Sequence, residues 1–369
     1  MGFYLKNSVC IYIHWPWCES ICKYCDYYKF KRDKNINYLN IYNCFIRDLK
    51  VLEKYFYDKA ITSIHIGGGS PSIMNVELLR KLLEYIYNKY QITENLEVSI
   101  ETNPEDMLNK KLIEYKNIGI NRLNLGVQSF SNSVLHFLGR NHDKKKAISS
   151  IFNSSNHFEN TGIDLIYGLP GQDKNAFENQ IIFARELPIK HISFYEFEYK
   201  NKIKNNFFSK KNKELLEEKK FFLYEINSFS IKGYQSQYNI SVLGMNNYIG
   251  IGPSAHGRIL KENNYIKVRN SKILKEWSNP KINPYKKRIL SKTNALEEFL
   301  LLGLSKSEGI YIKKLEELTN YETSKYINFK NIAALKEKKL IFEESGRLFL
   351  NHKGMFLINS IISNLLVAS

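Results

Sequence analysis

The sequence predicts an α/β protein, with an open, partial (β/α)6 barrel followed by a smaller, mainly helical, winged-helix-like C-terminal domain. Over residues 9–197, short runs rich in β-branched and aromatic residues alternate with amphipathic stretches of helical period. Such repeats imply a parallel sheet with right-handed crossovers, and six units are too few for the complete eight-unit barrel. A polar or glycine-rich motif also follows directly on most of the predicted strands, as expected of a parallel barrel.

Each element of the barrel is predicted from its hydrophobic period. The strands are predicted at residues 9–14, 61–66, 96–101, 122–127, 162–167 and 191–197. The helices between them are predicted at residues 36–57, 77–90, 108–118 and 177–187. Because parallel barrels carry their chemistry at the carboxyl ends of the strands, we expect the motifs that follow the strands to share one cavity.

The remainder of the chain is predicted to be mostly helical. A polar loop at residues 201–213 and a helix at 214–228 lead to a glycine-rich turn at 248–257. Helices are then predicted at residues 295–305, 312–321 and 329–338, with a hairpin formed by 340–342 and 347–350 and a last helix from Lys353. Helices followed by a small hairpin are typical of a winged-helix-like unit. We therefore divide the chain into domains at residues 1–235 and 236–369.

Three cysteines, Cys18, Cys22 and Cys25, follow the first predicted strand at spacings of four and three residues. Thiolates are the usual ligands of iron–sulfur clusters, and three of them can hold a [4Fe-4S] cluster while leaving the fourth iron open. One alternative is a zinc site, which usually has two separated ligand pairs. Another is a disulfide framework, which suits neither five cysteines nor a chain without a recognisable secretory signal. Cys10 and Cys44 are expected to be small buried residues.

The composition indicates a soluble, cytoplasmic protein. The net charge is +17, but the lysines are spread along the chain, so they are interpreted as solvated surface residues and no nucleic-acid partner is predicted. A nucleic-acid-binding module is kept as a distant alternative, because the net charge is positive and the C-terminal domain is winged-helix-like. No stretch is apolar for the roughly 20 residues that a membrane helix requires, so no membrane span is predicted.

Glycines and polar side chains are expected to meet the cysteines at the mouth of the barrel. Gly67, Gly68 and Gly69 follow the second strand without the spacing of a nucleotide-binding motif, and they allow a ligand to approach the backbone closely. Four polar residues follow or end other strands and should face the same cavity; they are Glu101, Gln128, Arg140 and Asp164.

These motifs resemble the oxygen-independent coproporphyrinogen III oxidase-like (HemN-like) family of radical S-adenosyl-L-methionine (SAM) proteins. The resemblance is carried by the cysteine triplet, by Gly139-Arg140 with His142, and by the runs 67–72, 121–130, 164–172, 250–257 and 297–303. Within that family the sequence is most similar to the HemW branch of heme chaperones. The oxidases have a longer N-terminal arm and a further cysteine two residues after the third ligand, whereas here Cys25 is followed by Asp26-Tyr27-Tyr28.

The resemblance implies three cofactors, which are a [4Fe-4S] cluster, SAM and heme. It implies that Cys18, Cys22 and Cys25 are the cluster ligands. The implied SAM contacts are Tyr12, Gly68, Gly69, Ser70, Glu101, Gln128, Arg140 and Asp164. The implied partners are heme, a heme-acceptor protein and a reductant for the cluster.

The sequence leaves two points about function open, which are the heme contact and the reaction. The His-Asn…Tyr-Trp motif of the HemW branch is degenerate here, because Tyr238 stands in place of its histidine; Tyr238 and His256 are the two residues considered as heme contacts. The alternative function is oxidative decarboxylation of coproporphyrinogen III in porphyrin biosynthesis, which shares the barrel, the cluster and SAM.

Overall fold

The computed structural model describes residues 7–33, 35–197 and 208–367. In its first part, strands alternate with helices as the hydrophobic period predicts. The elements are β1 (Ser8–Trp15), β2 (Trp17–Cys18), β3 (Phe30–Lys31), α1 (Tyr38–Leu52), β4 (Ala60–Gly68), α2 (Val76–Lys89), β5 (Ile92–Thr102), α3 (Asn109–Asn117), β6 (Arg122–Gln128), α4 (Asn132–Leu138), α5 (Lys144–His157), β7 (Asn160–Tyr167), α6 (Lys174–Ala184) and β8 (His191–Glu196).

The second part adds short strands and helices. The elements are α7 (Lys210–Glu217), β9 (Phe222–Glu225), β10 (Ser228–Ser230), α8 (Gln237–Leu243), β11 (Asn247–Ile251), β12 (His256–Lys261), β13 (Asn264–Arg269), α9 (Leu274–Trp277), β14 (Lys286–Ile289), α10 (Lys292–Leu304), β15 (Ile310–Tyr311), α11 (Ile312–Leu318), α12 (Phe329–Glu337), β16 (Ile341–Glu344), β17 (Arg347–Leu350), α13 (His352–Phe356) and α14 (Ile358–Leu365). None of the helices in the described ranges has the length and apolarity needed to span a bilayer.

The predicted strands form the centre of one large sheet. Its order is β14-β13-β12-β11-β1-β4-β5-β6-β7-β8-β10-β9, and the pairs from β1 through β8 are parallel. The predicted α/β fold with a partial parallel barrel is therefore confirmed. The sheet is wider than predicted, because β11 adds a parallel strand beside β1 and antiparallel strands extend both edges.

Side chains alternate between the two faces of the parallel strands. In β1, Ile11 and Ile13 are fully buried in the hydrophobic core that also contains residues of the surrounding helices. The residues between and beside them, Tyr12 and His14, are hydrogen-bonded to each other on the opposite face. Because successive side chains of a strand point to opposite faces, each parallel strand presents an apolar row to the helices and a largely polar row to the barrel interior.

Three predictions about local structure are wrong or incomplete. The glycine-rich turn predicted at residues 248–257 is in part strand β11, because this segment pairs with β1. Residues 214–228 were predicted as one helix, but α7 ends at Glu217 and the chain continues as the β9–β10 hairpin, whose second strand pairs with β8. The aromatic and β-branched side chains of this stretch pack against the sheet, which overrides the helical period. Helices α4 and α5, between β6 and β7, were not predicted individually. Residues 201–207 of the predicted polar loop lie outside the described residues.

The last part of the chain forms a second hydrophobic cluster. The predicted helices and hairpin are confirmed as α10, α11, α12 and β16–β17, with β15 as a third strand on the hairpin. A buried ion pair joins this part to the sheet: Arg258 of β12 donates to Glu298 of α10 at 2.7 Å and to the carbonyl of Val242 at 2.7 Å. The domain division after residue 235 stays a prediction, and strands β11 to β14, which follow it, belong to the large sheet.

A buried aspartate of α1 ties the barrel to the later strands. Asp48 is fully buried, and its Oδ1 accepts a hydrogen bond from Arg47 at 2.6 Å. Its Oδ2 accepts from the backbone N–H of Gly252, from Asn270 and from the Trp277 indole at 2.8 to 2.9 Å. All the donors lose a partner together if this carboxylate is removed, which leaves several buried polar groups unsatisfied.

Replacing Asp48 with alanine should therefore lower the free energy of unfolding by roughly 3 to 5 kcal/mol, the usual range for breaking a buried charged pair. Urea denaturation followed by circular dichroism measures the change. Asp58→Ala is the matched control, because Asp58 is an exposed carboxylate that pairs with its neighbour Lys59. Equal midpoints for the two variants would contradict a structural role for Asp48.

Candidate functional site

A cavity of about 600 Å³ opens at the carboxyl ends of the parallel strands. One side of it is formed by the loop that carries Cys18, Cys22 and Cys25, and the other side by the ends of β4 to β8. Seven of the predicted SAM contacts line it, and these are Gly68, Gly69, Ser70, Glu101, Gln128, Arg140 and Asp164. The cysteine loop and the strand-end motifs therefore meet in one place, as their positions after the strands predict.

The cysteine loop begins inside the protein and continues toward the surface. Cys18 lies in β2 and is 5% exposed, whereas Cys22 and Cys25 are half-buried. Burial raises the pKa of the Cys18 thiol, and the neighbouring Cys25 and Cys22 act in the same direction, while Ser70 opposes it. The carbonyl of Cys18 accepts from the N–H of Arg32, which fixes the far end of the loop. Cys10 and Cys44 are buried away from this loop, as predicted.

The three glycines at the end of β4 pack against the loop and the cavity wall. A Cβ on Gly67 would lie 2.9 Å from a Glu101 oxygen, and one on Gly69 would lie 3.0 Å from the Cys18 sulfur. Gly68 has φ of +114° and its Cβ would lie 2.7 Å from the His14 ring. A Cβ at Gly68 or Gly69 would also lie 2.7 Å from the carbonyl oxygen of Trp15 or Trp17, respectively, so glycine is required at these two positions. At Gly67 the Glu101 carboxylate would have to shift.

Glu101 is held at the cavity wall by two contacts. Its Oε2 accepts from the backbone N–H of Gly68 at 3.2 Å, and its Oε1 lies 3.2 Å from Nε2 of His65. Nδ1 of His65 lies 2.8 Å from the Ser99 hydroxyl. The carboxylate is one-third exposed, so it keeps access to the cavity while its position is fixed. A carboxylate placed in this way can accept hydrogen bonds from ligand hydroxyl or amino groups.

Arg140 connects the cysteine loop to the barrel. Its Nη1 donates to the Cys22 sulfur at 3.5 Å, and its Nη2 donates to Asn103 at 2.8 Å and to the Gly126 carbonyl at 2.9 Å. Its Nε is buried and has no hydrogen-bond partner among the described residues. Both N–H groups of Nη2 and one of Nη1 are therefore engaged, and the buried Nε–H is a donor left for a ligand.

Asp164 is the carboxyl of the cavity whose pKa is raised most strongly. Burial raises its pKa to about 7, and the nearby Glu101 adds to this shift, although Asn124 donates to Oδ2 at 2.5 Å and opposes it. The other oxygen, Oδ1, is buried without a hydrogen-bond partner among the described residues, as is Oδ1 of Asn124. Unpartnered buried acceptors of this kind are typical of a site that binds a polar ligand or water.

Three residues considered from the sequence lie away from the cavity wall. Tyr12 donates to Nδ1 of His14 at 2.9 Å, because Nε2 of His14 donates to the Tyr28 carbonyl and Nδ1 must then accept. The Tyr238 ring stacks on His65 with centroids 4.8 Å apart, inside the barrel. His256 is exposed at the start of β12. Tyr12 can therefore influence the cavity only through His14 and the stacked rings.

Several polar residues of the cavity were not singled out from the sequence. They are His65, Ser99, Asn103, Arg122, Asn124, His191, Ser193, Tyr195, Ser236 and Asn239. Ser236 caps α8 and Asn239 lies within it. The others include residues on strands that lie two positions from Glu101 or from one another, namely Ser99, Arg122, Asn124, His191, Ser193 and Tyr195. The two-residue period of a strand would have identified them once one inward-facing residue was known.

Comparisons with known proteins identify the family of this chain. The profile of the radical SAM superfamily matches residues 12–183, and that of the HemN C-terminal domain matches residues 290–357. A protein of Buchnera aphidicola named "Heme chaperone HemW" is 31% identical over 96% of this chain and 97% of its own length. A Bacillus subtilis protein of the same name is 30% identical over 95% of this chain and 97% of its own length.

The chain belongs to the HemW family of radical SAM proteins. Membership of this superfamily implies a [4Fe-4S] cluster and SAM. Among solved structures, coproporphyrinogen III oxidase (HemN) from Escherichia coli has the same fold, with a TM-score of 0.77 over 98% of this chain and 91% of its own. Its sequence is 19% identical, so the likeness extends to the fold alone.

The residues of this HemW-family chain fit those two cofactors. Three thiols line the mouth of the cavity, and a polar wall with unpartnered acceptors faces them. Within residues 7–33, 35–197 and 208–367, no three His, Cys, Asp or Glu side chains converge into a complete metal-binding group. The three thiols line the same cavity, and Cys22 and Cys25 lie close enough to Cys18 to affect the pKa of its thiol.

The pKa of Asp164 leads to a pH-dependent stability. A carboxyl whose pKa rises on folding binds more protons in the folded state, so stability falls as pH rises from about 4 to about 7 and then levels off. Asp164→Asn removes this effect, so the variant should gain roughly 2 to 4 kcal/mol over the wild type between pH 5 and pH 8.

Urea denaturation of the metal-free protein at several pH values measures this gain. Asp58→Asn is the control, because that exposed carboxylate does not have a raised pKa. A difference between Asp164→Asn and the wild type that stays constant across this pH range would show that Asp164 does not titrate near neutrality.

Proposed function

We propose that this chain is a heme chaperone that carries a [4Fe-4S] cluster and SAM and passes heme to an acceptor protein. The observation that carries the proposal is the full-length similarity to relatives named heme chaperones, together with a cysteine loop that closes a polar cavity. The similarity spans both the barrel and the C-terminal part, so the proposal concerns the whole chain.

In this proposal Cys18, Cys22 and Cys25 would hold the cluster, and the cavity beside them would hold SAM. If SAM is cleaved, the bound cluster would supply the electron for that reaction. The Arg140 guanidinium orients the loop through its bond to the Cys22 sulfur and offers Nε to an anionic group of the ligand. The buried position of Cys18 limits the access of water to one edge of the cluster.

SAM is assigned to the cavity wall opposite the cysteine loop. The glycine segment allows its amino group to approach the backbone of Gly68, Gly69 and Ser70. Glu101 and the free oxygen of Asp164 are acceptors for its hydroxyl groups, and Gln128 faces the same space. Tyr12 supports this wall through His14, rather than by direct contact.

The remaining parts of the proposal concern partners and location. We assign a cytoplasmic location, a reductant for the cluster and an acceptor protein for heme, and no nucleic-acid partner, because the basic residues are dispersed. The alternative, coproporphyrinogen oxidation, is favoured only by the HemN structural likeness, which concerns the fold.

Heme titration of the anaerobically reconstituted protein tests the proposal. We expect a saturable shift of the Soret band, because a coordinated and partly buried heme absorbs differently from free heme. The same preparation should not convert coproporphyrinogen III in the presence of SAM and reductant. A cluster-loaded protein that leaves the heme spectrum unchanged, or that decarboxylates the porphyrinogen, would contradict the proposed function.

A further inference from the structure

Strands β11 to β14 extend the sheet beyond β1, and one of their faces is continuous with the inward face of the barrel. Strand β11 is parallel to β1, and Tyr12 pairs with Gly250 across these two strands. In β12, the buried Arg258 lies 5.2 Å from the ring centre of Tyr248, on the same face as the interior aromatic residues. Because side chains two residues apart share a face, His256 lies on this inward face as well, two residues before Arg258.

A row of one histidine and two cations crosses three strands at the end of this face. His256 of β12 pairs directly with Arg269 of β13, and Arg269 pairs with Lys286 of β14. Neighbouring strands lie about 4.8 Å apart, and the side chains of directly paired residues are in reach of one another. His256 and Lys286 are exposed and Arg269 is half-buried, so the row faces solvent.

This row lies next to the cysteine loop but outside the cavity that the loop closes. The segment before His256 packs on His14, since a Cβ at Gly252 would lie 2.4 Å from the His14 carbonyl oxygen. Nε2 of His14 donates to the carbonyl of Tyr28, and the Tyr28 hydroxyl donates to the carbonyl of Lys272, just after β13. The segments that flank the row therefore contact His14 and Tyr28, and Tyr28 lies three residues after Cys25.

The side chains of this row suit heme, which offers an iron atom to a histidine and two propionate carboxylates to cations. The imidazole of a histidine is among the commonest metal ligands in proteins. Arginine and lysine are the usual partners of carboxylates. Tyr238, the other residue considered, has its ring stacked on His65 and Tyr12, so it could reach iron only by leaving that stack.

We propose that heme docks on this row, with His256 as an iron ligand and with Arg269 and Lys286 paired to the two propionates. The proposal rests on the proposed heme chaperone function and names its heme site. Heme held here lies beside the cysteine loop and stays accessible from solvent, which suits a group that is to be handed to another protein.

Single variants of the full-length, cluster-loaded protein test the iron ligand. His256→Ala should weaken heme binding by at least about tenfold, equivalent to 1.4 kcal/mol, and change the Soret position, and added imidazole should restore the wild-type spectrum. His157→Ala is the matched control, because His157 ends α5 at the opposite end of the barrel strands. A His256→Ala protein with the wild-type affinity and spectrum would overturn the assignment.

A second pair of measurements tests the propionate contacts without depending on the histidine. The double variant Arg269→Gln, Lys286→Gln should bind heme about fivefold to tenfold more weakly, yet bind heme dimethyl ester as the wild type does. An equal loss for both ligands would contradict the propionate pairing. If the wild type itself binds no heme, the proposed function fails; if it binds heme and the variants match it, only this site fails.

Discussion

The close packing of three glycines against the cysteine loop is the constraint on which the site depends. Missing Cβ atoms at Gly67, Gly68 and Gly69 allow the end of β4 to touch the cavity carboxylate, the inward His14 and the first cysteine at once. These contacts set the distance between the loop and the polar wall. The backbone N–H of Gly68 also donates to the Glu101 carboxylate, so the glycine segment fixes the position of this carboxylate as well.

The alternation of side chains in the parallel strands explains how one sheet provides both the core and the site. Apolar residues such as Ile11 and Ile13 pack under the helices, while the residues between them face the interior. The parallel strands, their order in the barrel and the residues of the cavity wall could be predicted, because the alternation is visible among neighbouring residues of the sequence. The inward polar residues that were missed, such as Asn124 and His191, follow the same period, but their role depends on which strand neighbours face them.

What the sequence could not predict depends on contacts between distant segments. Strand β11 lies beside β1 although more than two hundred residues separate them, and Asp48 of α1 binds groups of the segment 252–277. The hairpin β9–β10 replaces part of a predicted helix because pairing with β8 outweighs the local period. The engagement of Arg140 with Cys22 also required the structure, since the two residues are 118 positions apart.

We propose that Cys18, Cys22 and Cys25 hold a cluster whose remaining iron is open to SAM. The most direct measurement is the electron paramagnetic resonance spectrum of the reduced, anaerobically reconstituted protein before and after addition of SAM. We expect a [4Fe-4S] signal that changes when SAM binds at the open iron. A signal that SAM leaves unchanged, or a preparation that contains zinc in place of iron and sulfide, would contradict it.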